Sequence, residues 1–153
     1  LIHMTQTLSH YNNEGEASMV DVSQKPIVKR IAIAHCFFCA KGSTIDAILD
    51  GQLPKGEAIP VAKIAGIQAA KQCGNLIPLC HTLPLEHAEV TFQRVGDNQI
   101  EITSKMTIHS KTGVEMEALT AVSVAALTLW DMTKSIDKEL SIERVELLMK
   151  DKS

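Results

Sequence analysis

Aromatic residues are scarce in this chain, at 3% of 153 residues, and the net charge is −3. Proteins that bind nucleic acid carry basic surfaces and often stack bases on aromatic side chains. The composition therefore argues against nucleic acid as a partner. An anionic ligand would have to bind to a local group of cations, and the candidates are Arg30, Lys55, Lys63, Lys71, Lys111, Lys134 and Lys150.

Long apolar runs are also missing. The longest one, residues 118–130, is shorter than the twenty or so residues of a membrane helix and ends at Asp131. The first residues lack the basic start, apolar middle and cleavage site of a secretory signal. We therefore expect no membrane partner and a cytoplasmic location. The length and the 45% apolar content predict a single domain over residues 1–153, with 1–14 flexible.

Glycine-rich phosphate motifs are absent, since the chain has neither G-x-x-x-x-G-K-[ST] nor G-x-G-x-x-G. Phosphate binding would then depend on side chains. Of the four cysteines, Cys36 and Cys39 form one C-x-x-C, and Cys73 and Cys80 have the wrong spacing for a matching pair. The sequence therefore predicts buried, unreactive thiols on a strand and no metal site.

The pattern of apolar residues predicts an α+β fold, a ferredoxin-like antiparallel sheet with helices on one face. Hydrophobic β-branched runs predict strands at 19–23 and 27–40, and turn chemistry at 96–98 predicts a hairpin of 87–95 with 98–110. Helices are predicted at 42–51, capped by Ser43 or Thr44 and ended by Gly51, at 53–74 and at 114–134. A last strand is predicted at 140–150. Small residues at helical spacing in the second helix predict close packing on a neighbour.

The segment GNLIPLCHTLPLEH, residues 74–87, is unusually apolar for a loop, yet its prolines exclude a regular helix or a central strand. Adjacent side chains on an extended chain point to opposite sides, so His81 would not activate the Cys80 thiol as a nucleophile. His81 by itself as a proton shuttle or phosphate donor is one interpretation. A partly buried histidine with satisfied hydrogen bonds is an equal alternative.

The ends of the long helix are charged. Glu115 and Glu117 in its first turn and Lys134 in its last turn suit the helix dipole. Asp131 does not, because it lies near the negative end, three positions before Lys134. From spacing, an exposed ion pair is the simpler interpretation and catalysis the alternative.

Three segments together resemble a known family. KGEAIPVAKIAGIQAAKQCGNLIPLCH, KTGVEMEALTAVSVAALTLWDMTK and GEASMVDVSQK are similar to the cyclic pyranopterin monophosphate synthase (MoaC) family of molybdenum cofactor biosynthesis, and the resemblance covers residues 15–150. It implies a lyase that converts 3′,8-cyclo-7,8-dihydro-GTP to cyclic pyranopterin monophosphate with release of diphosphate. The alternatives are a non-catalytic nucleotide-binding module and a scaffold in which Asp131 and Lys134 merely pair.

The resemblance also implies a site and an assembly. Lys55, Asp131 and Lys134 would be catalytic together with His81, and substrate contacts would come from Arg30, Leu79, Cys80, His81, Glu115, Met116, Glu117 and Lys150. A hexamer built from dimers is implied, and no cofactor is required, although a magnesium ion is compatible with the chemistry. The turn at Gln72–Asn75 departs from the family's usual Thr-containing turn.

Helix geometry adds a constraint. Glu117 and Asp131 are 14 residues apart, which is about 21 Å along one continuous helix. Both cannot touch one reacting centre. We therefore expect active sites shared between subunits, and the sequence leaves open whether Lys55 and Asp131 of one pocket come from the same chain.

Overall fold

The computed structural model describes residues 8–153. Within them, the chain forms a single antiparallel sheet with helices in the connections between strands. The elements in chain order are β1 (Val28–Cys39), α1 (Gly42–Leu49), α2 (Ala58–Lys71), α3 (Cys73–Leu76), β2 (His87–Val95), β3 (Gln99–Ser110), α4 (Glu115–Thr133) and β4 (Ser141–Lys152).

The strand order across the sheet is β2-β3-β1-β4, and every neighbouring pair is antiparallel. The connection from β1 to β2 carries α1, α2 and α3, and the connection from β3 to β4 carries α4. Each connection passes over one strand, which is the split βαβ arrangement of a ferredoxin-like fold. The predicted fold class and the predicted hairpin are confirmed.

The core lies between the sheet and α4. Alternate residues of β1 and β3 point to α4, as expected for a strand with one face on the core. The Ser104 hydroxyl donates a 2.7 Å hydrogen bond to the carbonyl of Ala118, and Cys36 Sγ lies 3.4 Å from the carbonyl of Val122. These contacts bring the backbone of α4 close to the sheet. The close approach is possible because the buried face of α4 is built largely from alanine and valine.

Helix α2 packs on α4 through small side chains, as predicted. A Cβ added at Gly66 would lie 2.9 Å from the carbonyl oxygen of Ala121 and 3.4 Å from the Cβ of Ala125. Ala62, Ala69 and Ala70 are buried on the same side of α2. Because no larger side chain fits at Gly66, this contact holds the two helices in one position on the sheet.

Two local predictions were wrong. Residues 19–23 form no strand, because they lie over the LIPLCH segment, where the Val20 carbonyl accepts a hydrogen bond from Nε2 of His81. Neither Ser43 nor Thr44 is the cap of α1. The N-cap is Lys41, and Asp137 instead accepts hydrogen bonds from the Lys41 N–H at 2.9 Å and the Thr44 hydroxyl at 2.8 Å.

Strand β4 forms an edge of the sheet and carries exposed apolar side chains. Ile142 packs against the core, whereas Val145, Leu147, Leu148 and Met149 are between 38% and 52% exposed. No helix in residues 8–153 combines the length and the apolar character that a membrane crossing requires. Of the predicted flexible segment 1–14, residues 1–7 lie outside the described residues. Within 8–14, Tyr11 forms a bridge with Ala17.

Candidate active site

The LIPLCH segment is a tightly closed connection between α2 and β2. Helix α3 leads into the segment, and two turns follow it. In the first, the N–H of Ile77 bonds to the carbonyl of Cys73 at 2.9 Å. In the second, the N–H of Cys80 bonds to the carbonyl of Ile77 at 3.1 Å. A Cβ added at Gly74 would lie 2.8 Å from Cα of Thr82. The chain therefore returns against its own start, which explains a rigid connection without a long helix or a strand.

This segment forms one wall of a cavity of about 530 Å³, which is also lined by residues before β1 and at the start of α4. Of the predicted substrate contacts, the cavity collects Leu79, Cys80, His81, Glu115 and Met116. A second cavity of about 230 Å³ adjoins it at Gly113 and Glu115 and is lined by Arg30 and Lys150. The structure thus brings all the predicted contacts except Glu117 to two neighbouring cavities.

His81 is half-buried at the rim of the larger cavity. Its Nε2 lies 2.7 Å from the carbonyl oxygen of Val20, and because a carbonyl only accepts, Nε2 carries the proton. In the neutral ring, Nδ1 is then free to accept a hydrogen bond. The hydrogen bond to Val20 is compatible with both earlier interpretations, since it satisfies one nitrogen and leaves the other for a ligand.

Cys80 has the properties of an unreactive thiol. Burial, followed by the nearby carboxyl of Glu117 and the thiol of Cys73, raises the pKa of Cys80 to about 12. Since the thiolate is the nucleophile, Cys80 is poorly suited to covalent catalysis at neutral pH. Cys36, in the C-x-x-C of β1, is fully buried and burial raises its pKa to about 12, as the sequence predicted for an unreactive core cysteine.

The substrate contact predicted at Glu117 lies behind the cavity wall. Its side chain is 2% exposed, and neither carboxylate oxygen has a hydrogen-bond partner among residues 8–153. Burial raises the pKa of Glu117 to about 7, and the neighbouring Glu115 contributes. Glu115 itself lines both cavities, and its carboxylate lies 3.8 Å from Nζ of Lys150.

The remaining predicted site residues meet at the other end of α4. Nζ of Lys55 lies 3.1 Å from Oδ2 of Asp131 and 3.0 Å from its carbonyl oxygen, while Nζ of Lys134 lies 2.9 Å from Oδ1. Hydrogen bonds from Lys134 and then Lys55 hold the pKa of Asp131 below its usual range. All three side chains are exposed. One chain therefore supplies Lys55 together with Asp131, which answers the point that the sequence left open.

The two groups do not meet within one chain. Helix α4 is continuous from Glu115 to Thr133, so Glu117 and Asp131 are separated by about 21 Å along its axis. The first group, with Glu115, His81, Arg30 and Lys150, lines the two cavities and is called the cavity group below. The second, with Lys55, Asp131 and Lys134, is open to solvent.

Cys73 was missed as a functional candidate. Its thiol, the thiol of Cys80 and a carboxylate oxygen of Glu117 lie within 4.8 Å of one another. Paired C-x-x-C spacings do not indicate this group, because its third member is a glutamate on α4. The signal that could have found it was the cysteine in the turn at Gln72–Asn75, where the resemblance leads one to expect threonine.

The chain is similar to known proteins over nearly its whole length. The model of the MoaC family matches residues 19–153. A relative from Novosphingobium aromaticivorans is 50% identical over 143 residues, covering 94% of this chain and 90% of that protein. One from Brevibacillus brevis is 45% identical over 147 residues, covering 96% and 92%. One from Desulfitobacterium hafniense is 48% identical over 143 residues, covering 94% and 88%. All three are named cyclic pyranopterin monophosphate synthase.

Proposed function

The chain belongs to the MoaC family and is an enzyme of molybdenum cofactor biosynthesis, and we propose that the two groups of residues at the ends of α4 carry out its reaction. The substrate would be 3′,8-cyclo-7,8-dihydro-GTP, and the products cyclic pyranopterin monophosphate and diphosphate. The single observation that carries the proposal is the convergence of the predicted contacts on two adjoining cavities.

The cavities match the two parts of this substrate. The larger one has apolar walls from Leu79 and Met116 beside the half-buried His81, which suits a purine-derived ring. The smaller one carries Arg30 and Lys150, whose charges suit phosphate oxygens. On a chain of net charge −3, this local pair of cations would provide much of the electrostatic attraction.

The chemistry also requires the exposed group. Ring opening and pterin closure need proton transfers, and attack of a sugar hydroxyl on the α-phosphorus needs cations to stabilise the charge on the departing diphosphate. We assign the proton transfers and the stabilisation of the diphosphate charge to Lys55 and Lys134. Asp131, with its lowered pKa, would stay ionised at neutral pH and orient the two ammonium groups. His81 would donate to phosphate or ring through Nδ1 when the ring carries a second proton, because Nε2 already bonds to the Val20 carbonyl. Glu115 and Glu117 would bind the guanine-derived edge.

We further propose that the cavity group of one subunit and the exposed group of its neighbour form each active site. The separation of about 21 Å within one chain supports this arrangement. The exposed apolar side chains of β4 support burial against another copy, because such patches commonly mark interfaces. Assembly as a hexamer built from dimers, the cytoplasmic location and the absence of a required cofactor remain proposals. Magnesium, if it takes part, would bind mainly to the triphosphate.

The direct test is incubation of the purified chain with 3′,8-cyclo-7,8-dihydro-GTP while diphosphate release is followed. We expect turnover, with cyclic pyranopterin monophosphate formed in equal amount. Saturable binding of this nucleotide without diphosphate release would instead favour the non-catalytic binding module. Failure to bind it at all would exclude both functions.

A further inference from the structure

Three side chains with metal-binding atoms meet at the wall of the larger cavity, which Cys80 itself lines. They are Cys73 at the start of α3, Cys80 in the turn that follows and Glu117 in the first turn of α4. One atom from each lies within 4.8 Å of the other two. Among residues 8–153, this is the one group of three or more histidine, cysteine, aspartate or glutamate side chains so closely placed.

Glu117 supplies an independent indication of a ligand. Its side chain is 2% exposed, and within the described chain neither of its oxygens has a hydrogen-bond partner. Buried carboxylates are nearly always hydrogen-bonded or paired with a cation, since an isolated one is strongly unfavourable. Because an oxygen of Glu117 faces both sulfur atoms, a cation placed among the three atoms would satisfy it.

The donor set selects the type of cation. Thiolates bind zinc and similar soft ions, whereas magnesium and calcium require oxygen ligands almost exclusively. Zinc accepts two sulfurs and one carboxylate oxygen as ligands, with Zn–S distances of about 2.3 Å and a Zn–O distance of about 2.1 Å. In a tetrahedral site such ligands are about 3.5–3.8 Å apart. The three donor atoms, which lie within 4.8 Å of one another, therefore need to approach one another by about 1 Å at most.

The backbone around the group is already ordered. The hydrogen bonds that connect Cys73, Ile77 and Cys80 hold the two thiols on one compact turn, and the close approach of Gly74 to Thr82 closes that turn. Thr120 Oγ1 lies 3.5 Å from the sulfur of Cys73, where a hydroxyl can donate to a thiolate. Such outer partners orient metal ligands.

We propose that Cys73, Cys80 and Glu117 bind one zinc-class cation through two thiolates and one carboxylate, with the fourth coordination position not supplied by these three residues. Binding releases the two thiol protons, and that of Glu117 where it is present, to solvent. The site shares Cys80 and Glu117 with the predicted substrate contacts and lies next to Leu79 and His81. It differs from the sequence-based expectation of no metal site, which was drawn from cysteine spacing and stays a prediction.

The test uses the full chain, stripped with a chelator and kept reduced with a phosphine, and Co²⁺ as a spectroscopic probe. We expect one Co²⁺ per chain with a thiolate-to-cobalt charge-transfer band, displaced by Zn²⁺. Cys73→Ser and Glu117→Gln should each weaken Co²⁺ binding at least about tenfold, a loss seen even for outer-shell partners. Cys39→Ser is the matched control, since it removes a half-buried thiol from the other cysteine pair, and should leave binding unchanged.

Several results would overturn the site. They are the absence of a charge-transfer band in the reduced wild-type chain, an undiminished band in Cys73→Ser, and an equal loss in Cys39→Ser. A Cys73–Cys80 disulfide in protein prepared without reductant, combined with no cobalt band after reduction, would assign the pair to redox chemistry instead. If Cys73→Ser fails to fold by circular dichroism, Glu117→Gln decides. Because the readout is metal binding, the result is independent of turnover.

Discussion

At the first turn of α4, Glu117 is buried without a hydrogen-bond partner in the described chain, whereas near its last turn Asp131 is exposed and bonded to two lysines. Burial raises the pKa of Glu117 to about 7, while Lys134 and Lys55 lower that of Asp131. The same functional group on the same helix is thus shifted in opposite directions. Desolvation governs the first and charge pairing the second.

This contrast has a functional meaning. The cavity group at the start of α4 combines apolar walls with the cations Arg30 and Lys150, which suits binding of the ring and of phosphate. The exposed group at its end offers two ammonium groups oriented by an ionised carboxylate, which suits proton transfer and charge stabilisation. Substrate binding and proton transfer thus fall to opposite ends of α4, which supports active sites shared between subunits.

The largest effect is expected from mixing two inactive variants, one altered at each end of α4. Asp131→Asn mixed with His81→Ala should recover about a quarter of wild-type activity, because half of the dimers are mixed and each of these has one intact site of two. Lys55→Ala mixed with Asp131→Asn should recover none, since both residues belong to the same exposed group. The measurement is diphosphate release after subunit exchange.

A tagged chain shows whether subunits exchange. If they do and Asp131→Asn with His81→Ala stays inactive, the two ends of α4 do not share a site between subunits. Recovered diphosphate release in the mixture of Lys55→Ala with Asp131→Asn would mean that the two residues act from different subunits. The ion pair would then not be a functional unit.

The next effect concerns the exposed group alone. Lys55→Ala should lower diphosphate release by at least about a hundredfold, because one ammonium group is lost from the transition state. The melting temperature should change little, since the pair with Asp131 is exposed to solvent. Lys63→Ala removes an equally exposed lysine from α2 and should keep full turnover. Comparable rates in the two variants would remove Lys55 from the mechanism.

A smaller effect separates the two carboxylates by pH. The pKa of Glu117 is 4.5 in the unfolded chain and about 7 in the folded chain. Its contribution to the free energy of unfolding is therefore complete below pH 4.5 and is lost as the pH rises through 7. With a chelator present, the unfolding free energy of the wild type relative to Glu117→Gln should fall across this window by about 2–3 kcal/mol.

Asp131→Asn is the control for this measurement. Its lowered pKa places its own contribution on the acid side, where stability is lost as the pH falls below 3.8. The decline between pH 4.5 and 7 should therefore persist in Asp131→Asn. Denaturant titrations that show the same decline in Glu117→Gln would contradict burial as the cause.

The smallest effect tests the rigidity of the cavity wall. Gly74→Ala should lower the unfolding free energy by about 1–3 kcal/mol, because the new Cβ would lie 2.8 Å from the Thr82 backbone. Gly42→Ala, whose Cβ would meet its nearest neighbour at 3.4 Å, should cost nothing. Chemical denaturation measures both. Equal stabilities would mean that the connection adapts, and that its closure is not what orders the cavity.

Much of the fold could be read from the residues. Alternation along β1 and β3, the turn at 96–98 and the apolar face of α4 are local patterns with one structural solution each, and all were predicted correctly. Residues 19–23 have the same local pattern as a strand, yet they pair with no strand of the sheet. They cover the cavity instead, which no local pattern can indicate.

For the candidate site, the sequence by itself determined the family resemblance, the set of predicted site residues that the resemblance implies, and the separation along α4, since motif identity and helix rise are properties of a single segment. Only the tertiary structure decided which of these residues meet. The salt bridge of Lys55 with Asp131 spans 76 positions, and Cys73, Cys80 and Glu117 come from α3, the turn after it and α4. Such contacts depend on how α2 and α4 pack, and burial then sets the protonation of each carboxylate, so both follow from the folded chain rather than from residue order.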